Sequence, residues 1–261
     1  MTTPLDMTKF IPVITGGGSG LGFGFVKQLI GMGVPKILIT GRREAVLQKA
    51  CAEYPDKVFY KVSDAGKEAD RDALLEWIKT EHSDCNALIN NAGIQRRVAP
   101  TNDNAPWSER AAEIEINFSG TVHLCTLFIP YFLSKAPTQC VIANVSSGLA
   151  FVPFVAGPVY GATKAAVHSY CMAMRYSLEG TNLKLVEIIP PAVKSNLGGS
   201  HDFGEETDEY CASAMQNLAA GHEEFGYKFS ESGRNADRAT LNTMSANLAE
   251  KSNVPKFTVS S

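Results

Sequence analysis

The sequence contains no Cys-x-x-Cys pair and no uninterrupted apolar run of the roughly 18–20 residues that cross a bilayer. The first absence argues against a zinc site or a redox-active dithiol, and we interpret the six scattered cysteines as buried free thiols in a reducing compartment. The second argues against a membrane partner. Residues 1–9 are polar and lack the apolar core of a signal peptide. We therefore expect a cytoplasmic protein.

An excess of charge is also lacking. The 24 lysines and arginines are balanced by 27 aspartates and glutamates, which leaves a net charge of −3. Nucleic acids and anionic membranes bind basic surfaces, so neither is an expected partner. The 261 residues suffice for one α/β domain, and no repeat or low-complexity linker divides them. We predict a single domain over residues 1–261.

Short apolar strands alternate with helical segments as far as residue 189. The pattern predicts strands at 10–15, 37–40, 58–62, 87–90, 140–145 and 183–189, and helices at 22–32, 44–54, 67–81, 108–132 and 159–178. Continuous apolar strands between helices are typical of a parallel sheet that is covered on both faces. With right-handed crossovers this becomes an α/β doubly wound sheet, a Rossmann fold.

The pattern weakens after Pro190. Two helices are predicted near 209–222 and 236–250, and we interpret 194–235 as a variable substrate-loop region within the same domain. The segment 254–259 has strand-like composition, but Pro255 disfavours a strand there, so a final strand stays open.

A glycine-rich turn follows the first predicted strand and opens the first helix. Such a turn lets the backbone approach a pyrophosphate, which the N–H groups and dipole of the helix then hold. A glycine cluster alone also suits a plain turn, but the strand before and the helix after favour a dinucleotide site. The expected contacts are Gly16, Gly18, Ser19, Gly20, Leu21 and Gly22.

Three motifs occur at matching places in the chain. Thr-Gly-x-x-x-Gly-x-Gly begins at Thr15, Asn-Asn-Ala-Gly spans 90–93 after the fourth strand, and Tyr160-x-x-x-Lys164 follows the fifth. On these motifs the chain resembles the short-chain dehydrogenase/reductase family, in its short single-domain subgroup, over most of its length. The double proline at 190–191, with segments 151–153 and 162–168, is similar to the DltE-like branch. The resemblance implies a homodimer or homotetramer, through the helices bearing Asn117 and Tyr160.

The end of the second strand indicates which cofactor binds. An NAD-preferring enzyme places a carboxylate there, whereas this strand ends Thr40-Gly41-Arg42-Arg43. A guanidinium suits a 2′-phosphate, so Arg42 and Arg43 favour NADP(H), although they could also simply open a solvated helix.

The resemblance adds further cofactor contacts. It implies that Asp64 receives the adenine amino group and that Asn91, Ala92 and Gly93 line the adenosine side. At the nicotinamide end it implies contacts from Pro190, Val193 and Ser195, although Pro191 replaces the usual glycine.

Tyr160 and Lys164 lie four residues apart, on one face of a predicted helix. A free tyrosine has a pKa of about 10, so acid–base chemistry near pH 7 requires a neighbouring ammonium and the nicotinamide charge to lower that pKa. By resemblance, Tyr160 is the acid/base, Ser147 binds the carbonyl, Lys164 also binds ribose, and Asn117 holds a proton-relay water.

The sequence therefore predicts an NADP(H)-dependent oxidoreductase acting on a ketone, an aldehyde or a secondary alcohol. Apolar residues at 151–155 and the loop 194–203 are the expected substrate walls, so we expect a hydrophobic substrate. The alternatives are a non-catalytic NADP(H)-sensing protein on the same fold, and a methyltransferase with a similar glycine loop. No metal is expected, because His201 and His222 lack ligand spacing. His168 is expected in helix packing or in a subunit contact. Arg96 and Arg97 could contact a phosphate or an acidic substrate, but exposure on the surface is the default expectation.

Overall fold

The computed structural model describes residues 3–98, 103–199, 203–252 and 254. Within them a seven-stranded sheet has the order β3-β2-β1-β4-β5-β6-β7, and every neighbouring pair is parallel. The strands are β1 Pro12–Thr15, β2 Ile37–Gly41, β3 Val58–Val62, β4 Ala87–Asn90, β5 Cys140–Val145, β6 Leu183–Ile188 and β7 Glu224–Phe225. The strand order reverses between β1 and β4, which opens a ligand crevice beyond their carboxyl ends. The predicted doubly wound, single-domain fold is confirmed.

Helices cover both faces of this sheet. They are α1 Gly20–Gly31, α2 Glu44–Glu53, α3 Glu68–Glu81, α4 Trp107–Ile114, α5 Gly120–Leu133, α6 Pro158–Ser177, α7 Thr207–Ala219, α8 Phe229–Arg234 and α9 Arg238–Lys251. Successive strand residues point to opposite faces. In β1, the fully buried Ile14 packs with the core of α1, α2 and α7, and the fully buried Val13 with that of α3, α5 and α6. This double burial explains why the strands are continuously apolar.

Three helix starts differ from the predicted ones by two residues, and two elements were not predicted. Helix α1 begins at Gly20 rather than at residue 22, and the last predicted helices begin at Thr207 and Arg238. The strand β7 and the short helix α8 were not predicted, because two and six residues are too few to show a period. The possible strand at 254–259 lies outside the described residues, apart from Val254.

The helix predicted at 108–132 runs from Trp107 to Leu133 as α4, a π-helical segment Glu115–Ser119, and α5. Among the described residues this helix is long and apolar enough to cross a membrane, contrary to the expectation from the sequence. Its apolar side chains Leu124, Phe128 and Phe132 are instead buried in the core beneath the sheet. The core helices of many proteins are equally long and apolar, so this helix is only weak evidence for a membrane partner.

Candidate active site

A cleft of about 950 Å³ lies at the carboxyl ends of the strands. The predicted site residues that line it are Gly16, Gly18, Ser19, Gly20, Leu21, Arg42, Arg43, Asp64, Asn91, Ala92, Gly93, Ser147, Tyr160, Lys164, Pro190, Val193 and Ser195. Two predicted residues, Gly22 and Asn117, support the lining from behind. The structure therefore brings the predicted cofactor turn and the predicted catalytic residues to one continuous surface.

The glycine turn between β1 and α1 is fastened to the end of β4. The Asn91 side-chain amide donates to the Thr15 carbonyl at 2.9 Å, and the Thr15 hydroxyl accepts from the N–H groups of Asn91 and Ala92, both at 3.0 Å. Gly22 packs so closely that a Cβ there would lie 2.3 Å from the Gly16 carbonyl oxygen. Thr15 was not predicted as a site residue, yet its hydroxyl joins two motifs that were.

The other end of the cleft follows β2 and β3. Arg42 and Arg43 line it, and the Arg43 guanidinium donates to the Ser19 hydroxyl at 3.5 Å. Asp64 also lines this end, and one of its carboxylate oxygens accepts from the Gly66 N–H at 3.0 Å. Two guanidinium groups and no carboxylate at positions 41–43 fit a cofactor with a phosphorylated ribose.

Tyr160 and Lys164 lie on α6, whose first turn begins at Pro158, a favoured residue there because it lacks an N–H. Both side chains are buried, at 6% and 4% exposure. Burial raises the pKa of Tyr160 to about 12, against the opposing effect of a hydrogen bond with Ser147. Burial also lowers the pKa of Lys164 to about 8. In the protein alone, desolvation of the phenolate dominates, and the lowering of the tyrosine pKa that is expected with the nicotinamide charge in place stays a prediction.

Ser147 lies two residues after the end of β5 and faces the same part of the cleft. Its hydroxyl accepts from the Leu149 N–H at 3.1 Å, which starts a short 3₁₀ turn at 148–150. The Lys164 ammonium donates to the Val145 carbonyl, two residues before Ser147, at 2.7 Å. The serine and the lysine are thus held by one stretch of backbone.

Asn117 is fully buried in the π-helical segment and does not line the cleft. Its carboxamide oxygen accepts from the Ile94 N–H at 2.9 Å, and its nitrogen donates to the Ile94 carbonyl at 2.8 Å and to the Thr163 hydroxyl at 3.2 Å. The side chain therefore joins the loop after β4 to α6. The relay-water role that the resemblance implies for Asn117 stays a prediction.

A buried carboxylate on β6, Glu187, was not predicted. Its fully buried side chain accepts from the Ser146 hydroxyl at 2.6 Å, the His168 ring at 2.9 Å and the Arg175 guanidinium at 3.2 Å. Glu187 consequently ties the end of β5, next to Ser147, to the helix that bears Tyr160. This hydrogen bond raises the pKa of His168 and holds its ring against β6.

His168, Glu187 and Glu224 place three possible metal-ligand atoms within 4.8 Å of one another. A cation already occupies this cluster, because the Arg175 guanidinium lies 3.2 Å from Glu187 and 2.6 Å from Glu224. The guanidinium charge offsets the two carboxylates and disfavours a metal ion among them.

The remaining wall of the cleft differs from expectation. Of the predicted apolar segment 151–155, Phe154 lines the cleft, whereas Val152 is fully buried in the protein. Residues 195–199 and Phe203 line it as expected. Arg97 was expected on the surface, but it is half-buried in the cleft, and Arg96 is bound to Asp103 by hydrogen bonds of 3.1 and 3.0 Å.

Comparison with known proteins identifies relatives of the chain. Residues 11–205 match the short chain dehydrogenase family. The oxidoreductase DltE of Bacillus subtilis (strain 168) is 36% identical over 242 residues, which cover 90% of this chain and 94% of DltE. The NADP-dependent 3-hydroxy acid dehydrogenase YdfG of Shigella flexneri is 29% identical, with 77% of this chain and 81% of YdfG covered.

Solved structures share the fold. A short chain dehydrogenase from Burkholderia cenocepacia in complex with NADP superposes with a TM-score of 0.79 at 24% identity, covering 94% of this chain and 99% of that one. A short chain dehydrogenase/reductase from Burkholderia phymatum in complex with NAD gives 0.78 at 18% identity, with 96% and 98% covered. At these identities the likeness concerns the fold alone.

Proposed function

This chain belongs to the short-chain dehydrogenase family and to its DltE-like branch, and on that premise we propose that it transfers hydride between NADP(H) and a ketone, an aldehyde or a secondary alcohol. As a member of this family the chain is an oxidoreductase. The observation that carries the finer proposal is that Tyr160, Ser147 and Lys164 line the same cleft as the glycine turn. A cofactor sensor would not need this trio, and the family match sets the methyltransferase aside.

The residues of the cleft fit NADP(H). The glycine turn would hold the pyrophosphate, Arg42 and Arg43 the 2′-phosphate, and Asp64 with residues 91–93 the adenosine. Lys164 would bind the second ribose, with Pro190, Val193 and Ser195 near the nicotinamide. The YdfG relative is named as NADP-dependent, which supports this choice, although a structure that shares the fold holds NAD.

Each catalytic residue has a distinct part in the proposed reduction. The Ser147 hydroxyl donates a hydrogen bond to the carbonyl oxygen and holds it beside Tyr160. When bound, the nicotinamide supplies the hydride that adds to the carbonyl carbon. The Tyr160 hydroxyl donates its proton to the developing alkoxide, and solvent returns a proton to the phenolate. Each turnover thus consumes one NADPH, one carbonyl and one proton, and in oxidation Tyr160 accepts the proton instead.

The proposed substrate has an apolar body. Phe154, Leu149, Leu197, Phe203 and Phe229 line the cleft, so an apolar ketone or aldehyde would remove their surface from water. Reduction would be the direction in the cell, as the cofactor suggests.

A direct assay tests this function. The purified protein is mixed with NADPH or NADH and a panel of ketones and aldehydes, and the loss of cofactor absorbance is followed. We expect turnover with NADPH, and a kcat lowered about 10²- to 10⁴-fold in Tyr160→Phe with NADPH affinity unchanged. Tyr54→Phe, which lies outside the cleft, is the matched control and should behave like the wild type. Full turnover by Tyr160→Phe would contradict the assignment.

The assembly and the location are also part of the proposal. A homodimer or homotetramer through the helix that bears Asn117 and through α6, which bears Tyr160, would cover Met172 and Tyr176, which are 45% and 80% exposed on α6. Light scattering of the purified protein measures this. A cytoplasmic location fits the six free cysteines, five of them buried.

A further inference from the structure

Two neighbouring arginines after β4 differ in whether a carboxylate pairs with their guanidinium groups. Arg96 makes a two-bond contact with Asp103, the geometry that a guanidinium and a carboxylate prefer. Arg97 has no carboxylate partner among the described residues, and its Nε is buried without any hydrogen-bond partner there. Among the residues that the structure describes, its Nη2 reaches only the Leu197 carbonyl, at 3.5 Å. A half-buried guanidinium without a counter-ion is costly unless a ligand completes it.

The carboxylates that line the cleft are engaged elsewhere. Asp64 lies at the end of the cleft that follows β3 and accepts from Gly66. Glu205 forms an ion pair with Lys228. The cleft therefore carries a positive charge at Arg97 that none of the described side chains neutralises.

Arg97 lies at the end of the cleft that holds Tyr160, not at the end where the cofactor phosphates would bind. Its charge acts on the Tyr160 hydroxyl and lowers the pKa of that group, against the larger effect of burial. The guanidinium carbon lies 4.8 Å from the centre of the Phe203 ring, so the group packs against an apolar side chain of the cleft.

Gln95 adds a second polar group at the same place. A Cβ on Gly198 would lie 2.9 Å both from the Arg97 Nε and from the Gln95 side-chain oxygen, so the loop at 195–199 closes directly over this pair. Both side chains line the cleft. A cation and an amide that flank an apolar wall, beside the tyrosine, form a site for a small anionic group on an otherwise apolar molecule.

We propose that Arg97 binds the carboxylate of an oxo acid, or of the corresponding hydroxy acid, whose carbonyl or hydroxyl group lies at Tyr160 and Ser147. This inference rests on the proposed function and specifies its substrate class. The apolar walls receive the carbon chain, and Gln95 assists at the carboxylate. The substrate is then neither a neutral ketone nor a highly charged molecule, but an amphiphile with one negative charge near its reacting carbon.

The test compares each acid with its own neutral ester. Acetoacetate and levulinate differ in the distance from carbonyl to carboxylate, and their methyl esters remove the charge while keeping the ketone. We expect the wild type to reduce at least one acid with a kcat/KM about 10-fold or more above that of its ester. Arg97→Met should lower this acid-to-ester ratio by about 10- to 100-fold, as the loss of a charge-assisted bond predicts. The acid-to-ester ratio of Arg97→Lys should lie between those of the wild type and Arg97→Met.

The matched control is Arg96→Met, which removes the adjacent guanidinium that already has Asp103 as its partner. Because the measurement is a ratio, a general loss of stability cancels, and we expect the wild-type ratio. An unchanged ratio in Arg97→Met overturns the proposal. So does a large loss of NADPH affinity in Arg97→Met, because the arginine would then serve the cofactor.

Failure of the proposed function gives a different result. If NADPH binds but no acid or ester is reduced, the oxidoreductase chemistry fails on this panel. Calorimetric titration of levulinate into the NADP⁺ complex then still measures the anion site. Binding to the wild type and not to Arg97→Met supports it, and the absence of binding to the wild type overturns it.

Discussion

The ammonium nitrogen of Lys164 lies 5.6 Å from the centre of the Tyr160 ring, and its hydrogen bond goes to the Val145 carbonyl rather than to the phenol. The two side chains are one helical turn apart and both are buried. In the protein alone, burial disfavours the charge on each, so the phenol stays protonated and the ammonium is the group that titrates near neutral pH.

The burial of Lys164 predicts how the kcat/KM for NADPH falls at alkaline pH. Burial lowers the pKa of Lys164 to about 8, so its ammonium loses a proton as the pH rises through that value. Tyr160, with a pKa of about 12, remains protonated there. We expect the kcat/KM for NADPH, which reports the free enzyme, to fall above about pH 8 as the ribose-binding charge is lost.

The assay varies NADPH from pH 6 to 10 at a saturating carbonyl. Lys164→Arg supplies the control, because a guanidinium stays charged over the whole range and should move this fall to higher pH. Cofactor fluorescence checks that the variant still binds NADPH. A wild-type profile that is flat to pH 10 would exclude Lys164 as the titrating group.

A second prediction concerns stability and the His168–Glu187 pair. The carboxylate raises the pKa of His168 above its ordinary value of about 6.5, with Glu224 adding to the effect and burial and Arg175 opposing it. A raised pKa in the folded state means that the pair stabilises fully below about pH 6.5 and loses this contribution as the pH rises through the folded value. We therefore expect His168→Gln to reduce the free energy of unfolding more at pH 6 than at pH 9.

Urea unfolding at several pH values measures the difference. His222→Gln is the matched control, since the His222 ring contacts only the neutral side chain of Asn217, at 2.8 Å, among the described residues. This change removes no ion pair among the described residues. A His168→Gln difference that is equally large at both ends of the range would rule out an ionic contribution.

A third prediction concerns Asn117. Its carboxamide satisfies both the N–H and the carbonyl of Ile94, so Asn117→Ala leaves two main-chain groups without their partner. Each such loss costs about 1–3 kcal/mol, and we expect the free energy of unfolding to fall by about 3 kcal/mol. Asn235→Ala, an exposed asparagine bonded to Glu231, should cost below about 0.5 kcal/mol. Both variants are compared by denaturant-induced unfolding. Equal losses of stability would contradict the proposed role of the Asn117 carboxamide.

Much of the fold could be predicted because parallel strands are buried on both faces. Residues 37–40 are all buried, so a continuous apolar run is itself the signal of a strand. The strand β7 has two residues, the first of them Glu224, and carries no such run. The π-helical segment around Asn117 also escaped prediction, since one wider turn barely changes the helical period.

The site was predictable where it depends on local motifs. The glycine turn, Ser147, Tyr160 and Lys164 each follow a strand, and the topology brings strand ends together. Glu187 had no local signal, because it lies inside β6 and its partners come from β5 and α6. Arg97 was expected on the surface, with contact to a phosphate or an acidic substrate as the alternative. The sequence does not show that Asp103 pairs with its neighbour Arg96, because that contact depends on how the loop folds.

The last prediction tests cofactor choice at the end of β2. A Cβ at position 41 would have Leu47 as its nearest neighbour, at 3.4 Å, which is ordinary van der Waals contact. Gly41→Asp is therefore accommodated, and its carboxylate would accept from a ribose 2′-hydroxyl and repel a 2′-phosphate. We expect the ratio of kcat/KM for NADPH to that for NADH to fall about 100-fold, the equivalent of roughly 3 kcal/mol for a charged contact.

Arg42→Met should lower the ratio by weakening NADPH alone, whereas Arg238→Met, an exposed arginine outside the cleft, should leave it unchanged. A wild type that already prefers NADH would contradict the NADP(H) proposal before any variant is made.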